Sequence, residues 1–314
     1  MTDINWGQLE AFTRDIILPR VFDQVYTTNP VFTLLDGKGI KEKSGKNIRV
    51  LVEYAKNTLV SSYEGLDPIP TTRNQKAADT YLPWKQYQAP IVIAGDEEFK
   101  NAGAEQIEDL VQFEINSAKK SIQDSLGTAL YTDGSGNSDK DLTGFKAAID
   151  DSSNTDVYAG ITRSTSIWWK SRYTNWAAVP VSIDSWQTEF GALTDGSIKP
   201  DYVFTTQAIY NKCVSLIVPS QRTTDTKLGA AGFDTIMIHN RGITVDSHCG
   251  SGDAWVVNSD YISMVTAKGR NFSMDPWQRP VNQDARISHI LWAGNLVNES
   301  CRRHGHIHSI NVSL

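Results

Sequence analysis

The chain has 314 residues, enough for one large domain or two linked ones. Hydrophobic residues make up 40% and charged residues 21%, the balance of an ordinary folded protein, and a net charge of −6 without any block of Lys or Arg argues against a protein built to grip nucleic acid. No apolar run approaches the ~20 residues of a membrane span, the N-terminus MTDINWGQLEAF has no basic stretch leading into an apolar one, and cysteines 213, 249 and 301 form no CxxC pair, disulfide framework or zinc knuckle.

In chain order, residues 5–27 place Leu9, Phe12 and Ile16, then Val21, Phe22 and Val25 beyond Pro19, at helical spacing. These two short amphipathic segments precede any core and read as an arm that needs a surface to lie on. KNIRVLVEYAKN alternates Ile48, Val50, Val52 and Tyr54 with Arg49, Leu51 and Glu53, a strand pattern. A second strand is expected in WKQYQAPIVIAG, residues 84–95. The polar stretch between them is longer than the ~12–15 residues usual for a structureless loop in a compact domain. It reads as a hairpin excursion that reaches onto another subunit.

The strongest helix pattern runs from Asp96 to Tyr131, where Ile107, Val111, Ile115, Ala118, Ile122, Leu126 and Leu130 recur without a proline. Glu97, Glu98, Glu105 and Glu108 crowd its early part, as the helix dipole favours. At ~42 Å for some 28 residues, it is a structural spine. Beyond it, helices are expected at 165–176, 183–195 and 207–219, and strands at 201–206, 234–239, 243–247 and 254–258, an α/β layer. The chain ends in strands, RISHILWAGNLVN and HGHIHSINVSL.

The candidate sites are weak. ALYTDGSGNSDKDLTGF sets Asp133, Asn137, Asp139 and Asp141 in a glycine-rich loop, but counting from Asp133 the sixth and twelfth positions of an EF-hand are Ser138 and Gly144 instead of glycine and glutamate. A phosphate loop would follow a strand and carry GK[ST]. The loop therefore reads as a flexible hinge at Asp133, Gly134, Gly136 and Gly144, with glycines supplying positive φ. His304, His306 and His308 fall on one face of a strand, with neighbours ~7 Å apart. A His-rich surface strand is expected, with a low-affinity zinc or nickel contact as the alternative. Cys213 lies in an apolar run and reads as a buried, inert thiol. Asp246, His248 and Cys249 are near neighbours in a turn and are not expected to converge on one point. The pairs Glu97–Glu98 and Asp150–Asp151 read as solvated faces, and Trp168, Trp169, Tyr173 and Trp176 as a packing face or interface. There is no GxSxG or HExxH, so no catalytic residue, cofactor or metal is expected and the chain does not read as an enzyme.

The order of parts, and stretches such as ILPRVFDQVY, IRVLVEYAKNT, WKQYQAPIVIAGDEE, ALYTDGSGNSDKDLTGF, TTQAIYNKC, SQRTTDTKLGAAGF and NFSMDPWQRPVNQDARISHILWAGNL, resemble the major capsid proteins of tailed bacteriophages with the HK97-like fold. The resemblance covers nearly the whole chain and implies an α+β fold in five parts. These are an N-terminal arm at 1–46, an extended β-hairpin loop at 47–94 and the spine helix of a peripheral domain at 95–131. An axial α/β domain at 132–262 and C-terminal strands at 263–314, returning to the peripheral domain, complete it.

The function it implies is self-assembly, through hexamers and pentamers, into the icosahedral shell enclosing the double-stranded DNA of a tailed phage. The expected partners are other copies of the chain, a separate scaffolding protein (no long extension precedes the arm), a portal, a decoration protein and packaged DNA contacted non-specifically. No membrane is involved, and the expected location is the virion, after assembly in the host bacterial cytoplasm. Lys56, Lys76 and Lys85 lie in or near the hairpin, but nothing marks one for the lysine–asparagine cross-links of some relatives. The rival readings are an encapsulin-like nanocompartment and, in a different class, an aromatic-rich polysaccharide-binding protein.

Overall fold

A computed structural model describes residues 29–37, 41–72, 74–100, 110–149, 156–217 and 235–313. The amphipathic segments before residue 28, Glu105, Ile107 and Glu108, the Asp150–Asp151 pair and all of SQRTTDTKLGAAGF lie outside the described residues.

Two sheets organise the chain. The first is five-stranded and built on β14 (Ala285–Asn298). The first half of β14 pairs antiparallel with β4 (Lys85–Ala94), from Ala285↔Ala94 to Gly294↔Lys85. Its second half pairs with β12 (Ile262–Ala267), which also takes β1 (Lys41–Lys43) in parallel. β13 (Ser273–Met274) pairs at Ile290 and Leu291. Helix α1 (Pro30–Gly37), capped by Asn29 Oδ1 on the Phe32 amide at 2.9 Å, and the long helix α3 (Leu110–Leu130) cover this sheet. α3 is about 30 Å long at 1.5 Å per residue. It buries Ala118, Ile122, Leu126, Ala129 and Leu130, a helical stripe. The short α2 (Gly95–Lys100) follows β4, with Glu97 Oε2 accepting from the Ala94 amide.

The second sheet is six-stranded, in the order β7 (Arg172–Asn175), β15 (Gly305–His308), β11 (Ala254–Val257), β8 (Tyr202–Thr205), β10 (Arg241–Val245) and β9 (Thr235–Ile238). β8 and β11 are buried on both faces, so they read as continuous apolar runs. Val203, Ala254 and Val256 face α4 (Ile183–Leu193) and α5 (Gln207–Leu216) in one core; Tyr202, Phe204, Trp255 and Val257 face the end of α3 in the core of the first sheet. α4 starts where Ser182 Oγ accepts from the Ser185 amide, a normal N-cap.

Several expectations change. The hairpin partner of β2 (Ile48–Glu53) is β3 (Ala77–Leu82), from Ile48↔Leu82 to Glu53↔Ala77. Residues 85–94, expected as the returning strand, belong to the first sheet. AADTYL was missed because Ala and Asp are poor strand formers, and cross-strand pairing with β2 overrides that. Residues 165–176 are not a helix: Ile167–Trp169 form one 3-10 turn and Arg172–Asn175 a strand parallel to β15. That partner comes about 130 residues later and leaves no local trace. β15 itself does not join the first sheet with the other C-terminal strands; it lies between β7 and β11 in the second.

Candidate functional site

Two places carry exposed or chemically unusual groups: the hairpin excursion, and the joint where α3 gives way to the second sheet.

The hairpin is fixed at its root. The Tyr54 amide donates to the Lys76 carbonyl at 2.8 Å, extending the β2–β3 ladder by one bond. The Tyr54 ring stacks on Trp168 with centroids 4.8 Å apart, and the Tyr81 amide donates to the Ala159 carbonyl at 3.0 Å. Gly160, between β5 (Val157–Tyr158) and β6 (Ile161–Thr162), lies so close to the Tyr81 ring that a Cβ would come within 2.6 Å of it. Beyond the root, the described residues 55–72 and 74–76 carry no strand or helix apart from turns. Val60, Tyr63, Leu66 and Ile69 stand in solvent, Leu66 fully. Four large apolar groups on one excursion are more than scattered surface hydrophobics, which normally occur singly. Of the three hairpin lysines, Lys56 is exposed and Lys76 half-buried, whereas Lys85 is buried and its Nζ donates to the Asp139 carbonyl.

The glycine loop after α3 has an exposed tip and a buried root. At the tip, Asn137, Ser138 and Asp139 take positive φ, and Asp133 Oδ1 accepts from the amide and hydroxyl of Ser135. Those bonds hold the Asp133 carboxyl below its usual range. The root is pinned to the first sheet. The Leu142 amide donates to Tyr87 Oη at 2.9 Å, and the Thr143 amide to Asn295 Oδ1 at 3.1 Å. Asn295 is fully buried and also donates to Pro83 O and Thr143 Oγ1. Phe145 then enters the second layer, 5.5 Å from Tyr131, 5.8 Å from Trp255 and 6.4 Å from Phe204 between ring centroids.

The glycines singled out in this loop differ in their reasons. Gly134 has φ +83°, the left-handed region glycine adopts without strain. Gly144 has an ordinary φ of −91°; it is glycine because a Cβ would lie 2.4–2.6 Å from the carbonyl oxygens of Ala129, Leu130 and Thr132. At Gly136 the nearest obstacle is the Asp141 carboxylate, a side chain that can move.

Asp246 and His248 do converge, contrary to the sequence reading. Asp246 is fully buried, and its Oδ1 accepts from the His248 amide at 2.9 Å and faces His248 Nδ1 at 3.1 Å. Its other oxygen accepts from the Tyr131 hydroxyl at 2.8 Å; burial, with the nearby Asp246 charge, pushes that hydroxyl well above its ordinary range. His248 Nε2 lies 3.1 Å from Oδ1 of Asp124 on α3. Asp124 is 124 residues away in sequence, so spacing held no sign of the pair. The available signal was Gly127 inside the helix pattern, in what is the last turn of α3, where glycine costs up to about 1 kcal/mol relative to alanine. A Cβ there would meet the Asn29 amide at 2.5 Å and the His248 ring at 3.1 Å.

The His-rich strand is not on the surface. His304 is fully buried, with Nδ1 accepting from the Asn258 amide at 3.2 Å, and burial drives its pKa down to about 3. His306 is buried flat on Trp255, centroids 3.8 Å apart, and His308 stacks on Tyr173 at 4.4 Å. Among the described residues no three His, Cys, Asp or Glu side chains are grouped to hold a metal ion. Cys213, Cys249 and Cys301 are free and buried. Trp169 and Trp176 are core residues, while Trp168 is half-buried under Tyr54. No helix among the described residues is long and apolar enough to cross a membrane.

No family model matches the sequence, and no curated protein matches it. Solved structures do match, over almost the whole chain. The capsid asymmetric unit of cyanophage A-1(L) superposes with a TM-score of 0.75 at 15% identity, covering 96% of this chain and 98% of that one. The capsid of a native GTA particle gives 0.66 at 8% identity, covering 98% and 99%. The SrpI encapsulin of Synechococcus elongatus gives 0.63 at 8% identity, covering 100% and 98%. The fold class is α+β. This chain has the HK97-like fold, the fold expected from the sequence.

Proposed function

We propose that this chain is a shell subunit, the major capsid protein of a tailed phage, which assembles through pentamers and hexamers around double-stranded DNA. The observation that carries the reading is the match of 96% and 98% of the chain to two capsid structures. The bare apolar tip of the hairpin supports it, because Val60, Tyr63, Leu66 and Ile69 are exposed among the described residues and would gain cover on a neighbour. In this reading residues 1–46 are an arm, 47–94 the extended loop, 95–131 the spine and 132–262 the axial domain meeting its copies around the vertices. Asp133, Gly134, Gly136 and Gly144 form the joint between spine and axial domain. Heterologous contacts that close into rings suit such a shell, and the net charge of −6 suits a wall that contacts DNA without gripping it. The protein would reside in the virion and act without catalysis.

The test is sedimentation of the expressed chain, alone and with a scaffolding protein from the same source, followed by imaging of the fast fraction. Shells or rings are expected. A monomer at high concentration in both conditions refutes the reading. Nuclease-protected DNA inside shells from the native source separates a capsid from an encapsulin-like compartment, which would hold an enzyme instead.

A further inference from the structure

We infer that His248 is an imidazolium clamped between Asp124 and Asp246, and that this bridge is a pH-sensitive latch tying the long helix to the second sheet. The inference rests on the fold and stands whether or not the chain builds a shell.

The geometry dictates the charge state. Each ring nitrogen lies 3.1 Å from a carboxylate oxygen. A neutral imidazole has one N–H, so it could satisfy one carboxylate only and would turn a lone pair toward the other. With both nitrogens protonated, each donates one charge-assisted bond. The Asp246 oxygens cannot turn away, because the His248 amide and the Tyr131 hydroxyl hold them. The imidazole cannot retreat either: its side chain is only 8% exposed and rests against the helix at Gly127.

The groups facing the ring come from three directions. Among the described residues, Asp124 approaches from α3 and is 41% exposed; Asp246 lies on the same turn as His248 and is fully buried; the uncharged Asn29 amide, at the start of α1, flanks Gly127 as the His248 ring does. Behind them, Tyr131 is protonated and neutral, and burial raises the Cys249 thiol, which also stays neutral. Hydrogen bonding to Asp246 is the largest influence on His248 and raises its pKa, against the opposing effect of burial. A raised folded-state pKa means the stabilisation is complete below the unfolded value of about 6.5 and is lost as pH rises through the folded value. The latch is closed in mild acid and loosens toward alkaline pH.

The test uses the full chain labelled with 15N-histidine, in one sedimentation fraction for all variants. The protein has six histidines, so His248→Asn identifies the signal by its disappearance. Expected in the wild type near neutral pH are two alike, protonated ring nitrogens. Asp124→Asn should move the titration to lower pH and flatten the fall in melting temperature between pH 6.5 and 9. Asp124 is at the helix surface, so this variant should fold. A neutral tautomer at pH 6.5 in the wild type, with the proton instead on a carboxyl group, overturns the inference without any variant. So does an Asp124→Asn chain that titrates and melts like the wild type.

Discussion

Replacing Gly144 by alanine adds one methyl group where three backbone carbonyls already converge. An ideal Cβ would sit 2.4 Å from Ala129 O, 2.5 Å from Leu130 O and 2.6 Å from Thr132 O. These oxygens belong to the last turn of α3 and to Thr132, two residues beyond it, and none can rotate aside as a side chain would. Either the helix end or the Phe145 segment must move by more than half an ångström. Moving Phe145 disturbs its contacts with Tyr131, Trp255 and Phe204. Overpacking costs typically about 1–3 kcal/mol, and unyielding backbone on three sides puts this case at about 3. With about 2.1 cal/mol/K of unfolding entropy per residue, a cooperative chain of 314 residues shifts by roughly 1.5 °C per kcal/mol. The expected fall in melting temperature is therefore roughly 4–5 °C, read by calorimetry on the purified chain. The control is Gly191→Ala, on the exposed side of α4, where nothing lies within 4 Å of the new methyl. There alanine should stabilise by roughly 0.5–1 kcal/mol through helix propensity. If Gly144→Ala melts at or above the wild-type temperature, the close approach does not explain that glycine.

Three further outcomes are expected. His304 is buried neutral with its pKa lowered to about 3, so the unfolded chain binds the extra proton first. Stability should fall, by up to about 1.4 kcal/mol per pH unit, as pH drops from ~6.5 toward ~3, and His304→Asn, which keeps an acceptor for the Asn258 amide, should flatten that window in acid unfolding curves. Burial pushes the Cys213 thiol up to about 12 and also raises Cys249, so a thiol reagent at pH 8 should label the native chain slowly and the unfolded chain at all three cysteines; rapid native labelling contradicts the observed burial. Leu66→Asp with Ile69→Asp should leave the melting temperature of the unassembled chain within the ~0.5 kcal/mol equivalent of an ordinary surface change while reducing fast-sedimenting assemblies; unchanged assembly would remove the hairpin tip from the interface.

Much of the architecture was written locally. The spacing of Ala118, Ile122, Leu126 and Leu130 locates the buried stripe of α3, the helix expected at 183–195 is α4, and the strands expected at 201–206 and 254–258 are β8 and β11. The elements that escaped depend on distant partners. β3 is a strand because β2 lies beside it, and Arg172–Asn175 because β15 does. Burial of His304 and His306 follows from β15 occupying an interior position, which no pattern within HGHIH reveals. The Asp124–His248 contact joins a helix to a turn across the joint, and the residues between them fix neither the distance nor the orientation.

The placement of β15 bears on how the molecule can be made. The second sheet receives β7 through β11 in sequence, but the place between β7 and β11 stays empty until the last strand arrives. Until β15 has been made, β7 lacks its parallel neighbour and Trp255 lacks the His306 ring stacked on it. The sheet closes through pairings distant in sequence, Gly305 with Arg172 and Ile307 with Ala254, the kind of topology that folds slowly. The second layer is therefore completed by the last of its strands to be made, and that strand takes an interior place.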